Sequence, residues 1–110
     1  MRVLLLTIVA LAAGCNRSPE QQQADRLIED ARARGAALEK RADLEADRLE
    51  AEAQGLGKQA KQAGGYTGKR IAVRADALSK EARIVREQAA MQADALKHAA
   101  TAQGEAIKSR

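Results

Sequence analysis

The feature that most constrains this fold is the scarcity of large apolar side chains after residue 15. Between Asn16 and Arg110 the apolar residues are mostly alanine, 23 in number, and the chain contains neither Phe nor Trp. Only fifteen larger apolar side chains remain in this stretch. A fully buried Leu or Ile contributes about 1.5–3 kcal/mol, whereas ordering each residue costs about 1–2 kcal/mol. Such a chain cannot fill a thick globular core, but it can line a thin contact between helices.

The same composition favours α-helix, because Ala, Leu, Glu, Gln, Lys and Arg dominate and β-branched residues are few. A helix start is predicted at Ser18-Pro19, with Ser18 as the N-cap and Pro19 at the first helical position. Gln21 completes the pattern of a capping box. Residues 15–18 are therefore interpreted as a short tether before the first helix.

Two helical arms are predicted on either side of a glycine-rich break. The first arm is predicted over residues 19–63, and an earlier end near Ala53 remains open because two glycines follow it. Residues 64–68 are predicted to form the turn, and residues 69–110 the second arm, with Thr67 as its cap.

The apolar spacing indicates a helical period in both arms. The first arm repeats leucine every eleven residues, at Leu27, Leu38 and Leu49. That spacing corresponds to about 3.67 residues per turn and a nearly straight stripe. The second arm alternates steps of four and three, as in a heptad seam, through Ile71, Ala75, Leu78, Ala82, Val85 and Ala89. The two periods differ, which argues against one long uniform coiled coil.

Charge distribution favours a hairpin. Residues 15–53 carry seven Lys/Arg and ten Asp/Glu, net −3, whereas residues 54–110 carry eleven and five, net +6. The predicted fold is therefore all-α, with two long amphipathic helices as an antiparallel, coiled-coil-like hairpin after an N-terminal signal segment. An open rod paired with copies of itself is the competing arrangement. Because each seam stays half exposed, a homo-oligomer is expected in either case.

The N-terminus has the pattern of an export signal. Met1-Arg2 precedes an apolar run over residues 3–13, which is too short for a transmembrane helix of about 20 residues. Small residues and the only cysteine follow, as Leu11-Ala12-Ala13-Gly14-Cys15. Ala12 and Gly14 would also suit ordinary signal cleavage.

This segment resembles a bacterial lipoprotein signal with its lipobox. The resemblance implies that residues 1–14 are removed by cleavage between Gly14 and Cys15, and that Cys15 carries lipid such as palmitate. Asn16 is not the Asp that retains enteric-type lipoproteins in the inner membrane. The resemblance therefore implies the outer membrane, facing the periplasm.

The overall layout is similar to that of the small murein lipoproteins, which form helical bundles between outer membrane and peptidoglycan. Those proteins attach to the wall through a C-terminal lysine. Here the sequence ends Lys108-Ser109-Arg110, so covalent linkage is not expected. The similarity implies a lipid-anchored helical spacer with an envelope protein or peptidoglycan as partner.

No catalytic, metal or cofactor site is predicted. His98 is the only histidine and has no partners at ligand spacing. The stretch 64–69 lacks the residue order of a phosphate-binding loop and is interpreted as a turn, with Tyr66 packed beside the bend. The many carboxylates of the first arm are interpreted as solvated helix charges.

The remaining candidates are basic residues of the second arm, which could contact an anionic partner in a salt-dependent way. They are Lys69, Arg70, Arg74, Lys80, Arg83 and Arg86. Pairing with the acidic arm is the favoured alternative for them. Two hypotheses follow. The first is a non-enzymatic, membrane-anchored protein that acts as a spacer, scaffold or adaptor of the cell envelope. The second is a binding module whose basic arm becomes ordered on an anionic surface of lipid, lipopolysaccharide or peptidoglycan. Nucleic acid is not an expected partner of an exported protein.

Overall fold

The structure, a computed structural model, describes residues 18–110. The predicted signal and Cys15 lie outside the described residues. Within residues 18–110 the chain forms α1 (Pro19–Ala63) and α2 (Gly65–Lys108), separated by Gly64 alone. The two helices pack against each other in opposite directions, so the predicted all-α helical hairpin is confirmed.

The start of α1 follows the sequence signals. The Ser18 hydroxyl accepts a hydrogen bond from the backbone N–H of Gln21 at 3.2 Å, and Pro19 occupies the first helical position. Because the first backbone N–H groups of a helix have no intrahelical acceptor, this cap fixes where α1 begins. The predicted N-cap is confirmed.

The turn is shorter than the predicted five residues. Gly64 has φ 62° and ψ 179°, a conformation essentially restricted to glycine, and Gly65 follows with φ 56°. The N–H of Gly64 donates to the carbonyl of Ala60 at 3.1 Å and so closes the end of α1. The prediction of Thr67 as a cap was wrong: α2 already begins at Gly65 and has no side-chain cap.

The contact between the helices is built from alanine and glycine. Residues that face each other across the seam are the same number of positions from Gly64 in the sequence. The pairs with the closest contacts have a glycine in one of the two helices. A Cβ placed on Gly35 would lie 3.1 Å from the Ala93 Cβ, and one on Gly104 would lie 3.3 Å from the Ala24 Cβ. A Cβ on Gly68 would lie only 2.5 Å from the Ala60 carbonyl oxygen. The two backbones therefore approach each other closely along the whole hairpin.

Both helices share an eleven-residue spacing of buried residues. In α1 it relates Ala31, Ala42 and Ala53. In α2 it relates Ala82, Ala93 and Gly104, and also Ala89 and Ala100. The heptad predicted for α2 describes its seam only as far as Ala89, after which buried residues follow at steps of four and seven. The predicted difference in period between the arms is corrected, since one eleven-residue spacing matches both helices and keeps them in register.

The apolar contact is correspondingly thin. Its most buried cluster consists of Ala46, Leu49 and Ala82, with Leu78 and Val85 partly buried against it. Within residues 18–110 no polar or charged residue is buried. Stability therefore depends on many small contacts along the length of the seam rather than on a few large side chains.

We predict that Gly68→Ala lowers the free energy of unfolding by about 1–3 kcal/mol, because the added methyl group meets a backbone carbonyl that cannot move aside cheaply. Gly55→Ala is the matched control, since nothing lies within 4 Å of a Cβ at that position. The control should gain up to about 1 kcal/mol from the higher helix propensity of alanine. Urea unfolding followed by circular dichroism measures both. Equal effects of the two substitutions would contradict the close approach of the helices.

Candidate functional site

The six basic residues singled out from the sequence fall into two groups along α2. Lys69, Arg70 and Arg74 lie in its first turns, next to the bend, whereas Lys80, Arg83 and Arg86 lie further along the helix. The two groups have different surroundings.

Arg86 is the residue that links the charges of the two helices. Its guanidinium contacts three carboxylates of α1: Nη1 lies 2.5 Å from Glu50 Oε1, Nη2 lies 2.7 Å from Asp47 Oδ1, and Nε lies 3.5 Å from Asp43 Oδ1. The three carboxylates lie at successive steps of four and three, so one face of α1 presents all of them to one planar cation. A guanidinium suits this arrangement because its N–H groups point in several fixed directions.

This cluster shifts two ionisation equilibria. The hydrogen bond from Arg86 lowers the pKa of Glu50 below its ordinary value of 4.5, against a smaller opposing effect of desolvation. The hydrogen bond to Glu50 in turn raises the pKa of Arg86. Of the six basic candidates, Arg86 alone forms the predicted ion pairs with the acidic arm in residues 18–110, and the prediction was wrong for the other five.

The other two cations in the middle of α2 are placed differently. Lys80 pairs within its own helix, with Nζ 3.1 Å from Asp76 Oδ2. An equivalent i,i+4 pair is present in α1, where Arg34 Nε lies 3.1 Å from Asp30 Oδ2. Arg83 has no ion pair within residues 18–110.

The bend itself forms a basic tip. Residues 53–75 contain five basic residues and no Asp or Glu: Lys58, Lys61, Lys69, Arg70 and Arg74. None of the five forms an ion pair with another described residue. The Arg70 guanidinium lies 6.0 Å from the centroid of the Tyr66 ring, at the outer limit of a cation–π contact. Tyr66 is mostly exposed, so the prediction that its ring packs beside the bend was wrong.

Sequence reasoning missed this tip because it compared charges between the two halves of the chain. Lys58 and Lys61 belong to the first arm, 19–63, although the charge comparison counted them with residues 54–110, and the hairpin places them on the same tip as Lys69 and Arg70. A count of charge in a window centred on the glycines would have found the cluster.

An open groove of about 820 Å³ runs beside the tip between the two helices. Small residues form most of its walls, including Gly57, Ala60 and Gly68, while Lys61 and Lys69 lie at its edge. The groove exists because alanine and glycine leave space where larger side chains would fill the crevice.

The remaining sequence candidates do not converge on a site. His98 is exposed on α2, and within residues 18–110 no three His, Cys, Asp or Glu side chains lie close enough to hold a metal ion. Gly14 and Cys15 fall outside the described residues. Neither α1 nor α2 contains a stretch that is apolar and long enough to cross a membrane.

Comparison with known proteins adds no assignment. No protein family, curated protein or solved structure is detectably similar to this chain. Function must therefore be argued from the surfaces described above.

We predict that the stability of the hairpin falls as the pH drops below 4.5, because the folded state favours the Glu50 carboxylate. The contribution of this group is complete above its ordinary pKa and is lost as the pH falls through its lowered, folded value. Arg86→Met should flatten this part of the pH profile, measured as the urea midpoint between pH 3 and 6.

Arg83→Met is the matched control, since it removes a neighbouring cation that has no ion pair within residues 18–110. Its pH profile should match that of the unsubstituted chain. Parallel profiles for all three proteins would contradict a role of Arg86 in holding Glu50 ionised.

Proposed function

We propose that this protein is a non-enzymatic, lipid-anchored helical spacer or scaffold of the bacterial cell envelope. The observation that carries the proposal is the direct succession of a lipobox-like cysteine, at the start of the predicted tether over residues 15–18, and an unbroken helix from Pro19. Because an extended residue spans at most about 3.6 Å, the base of α1 would lie close to the membrane.

The dimensions of the hairpin support a spacer. At 1.5 Å per residue, the 45 residues of α1 extend for about 67 Å. The open end of the hairpin, where α1 begins and α2 ends, would lie next to the membrane. The bend at Gly64 would then be the most distant part of the chain. Two helices, packed along a seam without buried polar groups, are enough to form a structure of this length.

The anchor itself would be provided by lipid on Cys15. A single acyl chain gives only weak, reversible membrane binding, and stable anchoring needs more than one. Lipoprotein processing supplies several chains to one cysteine, as the resemblance of residues 11–15 implies. The outer membrane, facing the periplasm, is the proposed location.

A second candidate function is contact with an anionic surface, and the basic tip favours it. Five cations without a carboxylate, at the end farthest from the proposed anchor, would attract a polyanion or an anionic membrane. This candidate keeps the predicted contacts Lys69, Arg70 and Arg74 and adds Lys58 and Lys61. It does not involve Arg86, which is already paired with α1.

We predict that Cys15→Ser releases the protein from the membrane fraction into the soluble fraction, because it removes the site of acylation. Fractionation of cells expressing the full chain, with immunoblotting, measures the distribution. Asn16→Ser, which leaves Cys15 intact, is the control and should remain with the membranes. An unchanged membrane fraction for Cys15→Ser, or a bare thiol by mass spectrometry, would contradict the lipid anchor.

We predict that replacing Lys69, Arg70 and Arg74 by Gln weakens co-sedimentation with anionic vesicles or cell-wall fragments at least about fivefold, because the tip loses three of its five cations. Binding by the unsubstituted protein should fall as salt is added. The matched control replaces Arg26, Arg41 and Arg48 of α1, which removes the same charge away from the tip. Equal losses in both triple variants would show an effect of net charge alone.

A further inference from the structure

The outer face of α2 carries a second apolar stripe that the hairpin does not use. Tyr66, Val73, Ile84 and Met91 are 77%, 71%, 49% and 71% exposed. At 100° per residue they fall within about 20° of one line along the helix, on the side opposite the seam residue Ala82. The stripe extends for about 37 Å.

We propose that this outer stripe binds a second copy of the chain, with the two α2 helices antiparallel. The four large residues are separated by 7, 11 and 7 positions, a spacing that reads the same in both directions. When two copies run antiparallel, Tyr66 therefore faces Met91 of the second copy, and Val73 faces Ile84. A two-fold axis requires this kind of self-complementary surface.

The charges beside the stripe are complementary in the same register. Lys69 faces Glu87 of the second copy, and each of these residues lacks an ion pair within residues 18–110. On the other flank Arg74 faces Glu81 of the second copy. The two-fold symmetry produces each pair twice. In paired helices, flanking charges of this kind determine which helices associate and whether they run parallel or antiparallel.

A parallel pair is disfavoured by the same residues. It would place Lys69 near Arg74 and Asp76 near Glu81 of the second copy, so that like charges meet on both sides of the stripe. An anionic membrane surface fits less well than a second copy, because the carboxylates of Asp76, Glu81 and Glu87 flank the stripe.

The pairing uses α2 alone and does not depend on lipidation of Cys15. Its area is at the small end of protein interfaces, because a single helix face about 37 Å long is covered in each copy. The dimer is therefore concentration-dependent. In the dimer the open ends of the two hairpins point in opposite directions, so copies that stand upright on one membrane cannot pair in this way, and the dimer and the upright spacer are alternative arrangements of the chain. Lys69 and Arg74 of each tip face carboxylates of the other copy in the dimer, so the dimer also competes with the anionic-surface contact.

The decisive experiment is cysteine crosslinking of the full chain in intact cells. Two differently tagged versions, Val73→Cys and Ile84→Cys, are co-expressed and treated with a short bismaleimide. Each version alone is the control, since two copies of Val73 would lie about 16 Å apart along the axis. The unsubstituted chain measures any product formed through Cys15.

We expect a heterodimer from the mixture at least about fivefold above either version alone, because only the mixture brings the two thiols face to face. Strong crosslinking of Val73→Cys to itself would overturn the antiparallel register. The absence of any product above that of the unsubstituted chain would overturn the dimer. Protection of Val73→Cys from a polar maleimide by anionic vesicles, without a heterodimer, would assign the stripe to a membrane surface instead.

Charge reversal provides the second measurement, using the full chain and its sedimentation velocity at several concentrations. Glu87→Lys should weaken the dimer about tenfold, because the pair with Lys69 occurs twice. Combining it with Lys69→Glu should restore the affinity. A combined variant as weak as the single one would overturn the register.

Ile84→Ser should abolish the dimer while leaving the helical circular dichroism signal unchanged. Leu44→Ser is the matched control, since Leu44 is similarly exposed, at 64%, but lies on α1. Equal dimer loss in both would overturn the assignment to α2.

Discussion

The close approach of two helix backbones is the interaction on which the rest of this structure depends. Gly35 and Gly104 face alanines at distances that leave no room for a larger side chain without movement, and Gly68 lies against the carbonyl of Ala60. Contacts of this kind are weak individually and accumulate only along a long, continuous seam. The hairpin is therefore stable only if both helices are long.

A seam made of small residues leaves the large and charged ones on the outside. Tyr66, Val73 and Met91 remain exposed because they lie on the side of α2 opposite the seam. Arg86 crosses from one helix to the other at the edge of the seam, where its charged group stays partly in water. The outer surface of the hairpin therefore presents both polar and apolar side chains for binding. Each contact proposed for α1 and α2 uses this outer surface.

Much of the fold was predictable because its signals are local. The Ser18 cap, the two i,i+4 ion pairs and the helical arms each depend on residues close together in sequence. The turn was predicted in the right place but too long. The prediction reserved residues for a capped start of α2, whereas glycine allows the chain to reverse direction at Gly64 without such a cap. The common eleven-residue spacing was missed in α2, where Ile71 to Ala89 alone also satisfy a heptad. The basic tip and the selection of Arg86 depend on pairing across the hairpin, which no local pattern contains.

The symmetric placement of seam pairs about Gly64 restricts how this chain can change in length. Deleting residues from one helix alone would slide every pair between the deletion and the open end out of register, and alanines would then meet bulkier or charged neighbours. Removal of eleven residues from each helix at matching distances from Gly64 would preserve the pairing and shorten the hairpin by about 16 Å. Viable length variants of this protein should therefore differ by matched blocks in both halves, in steps of one repeat.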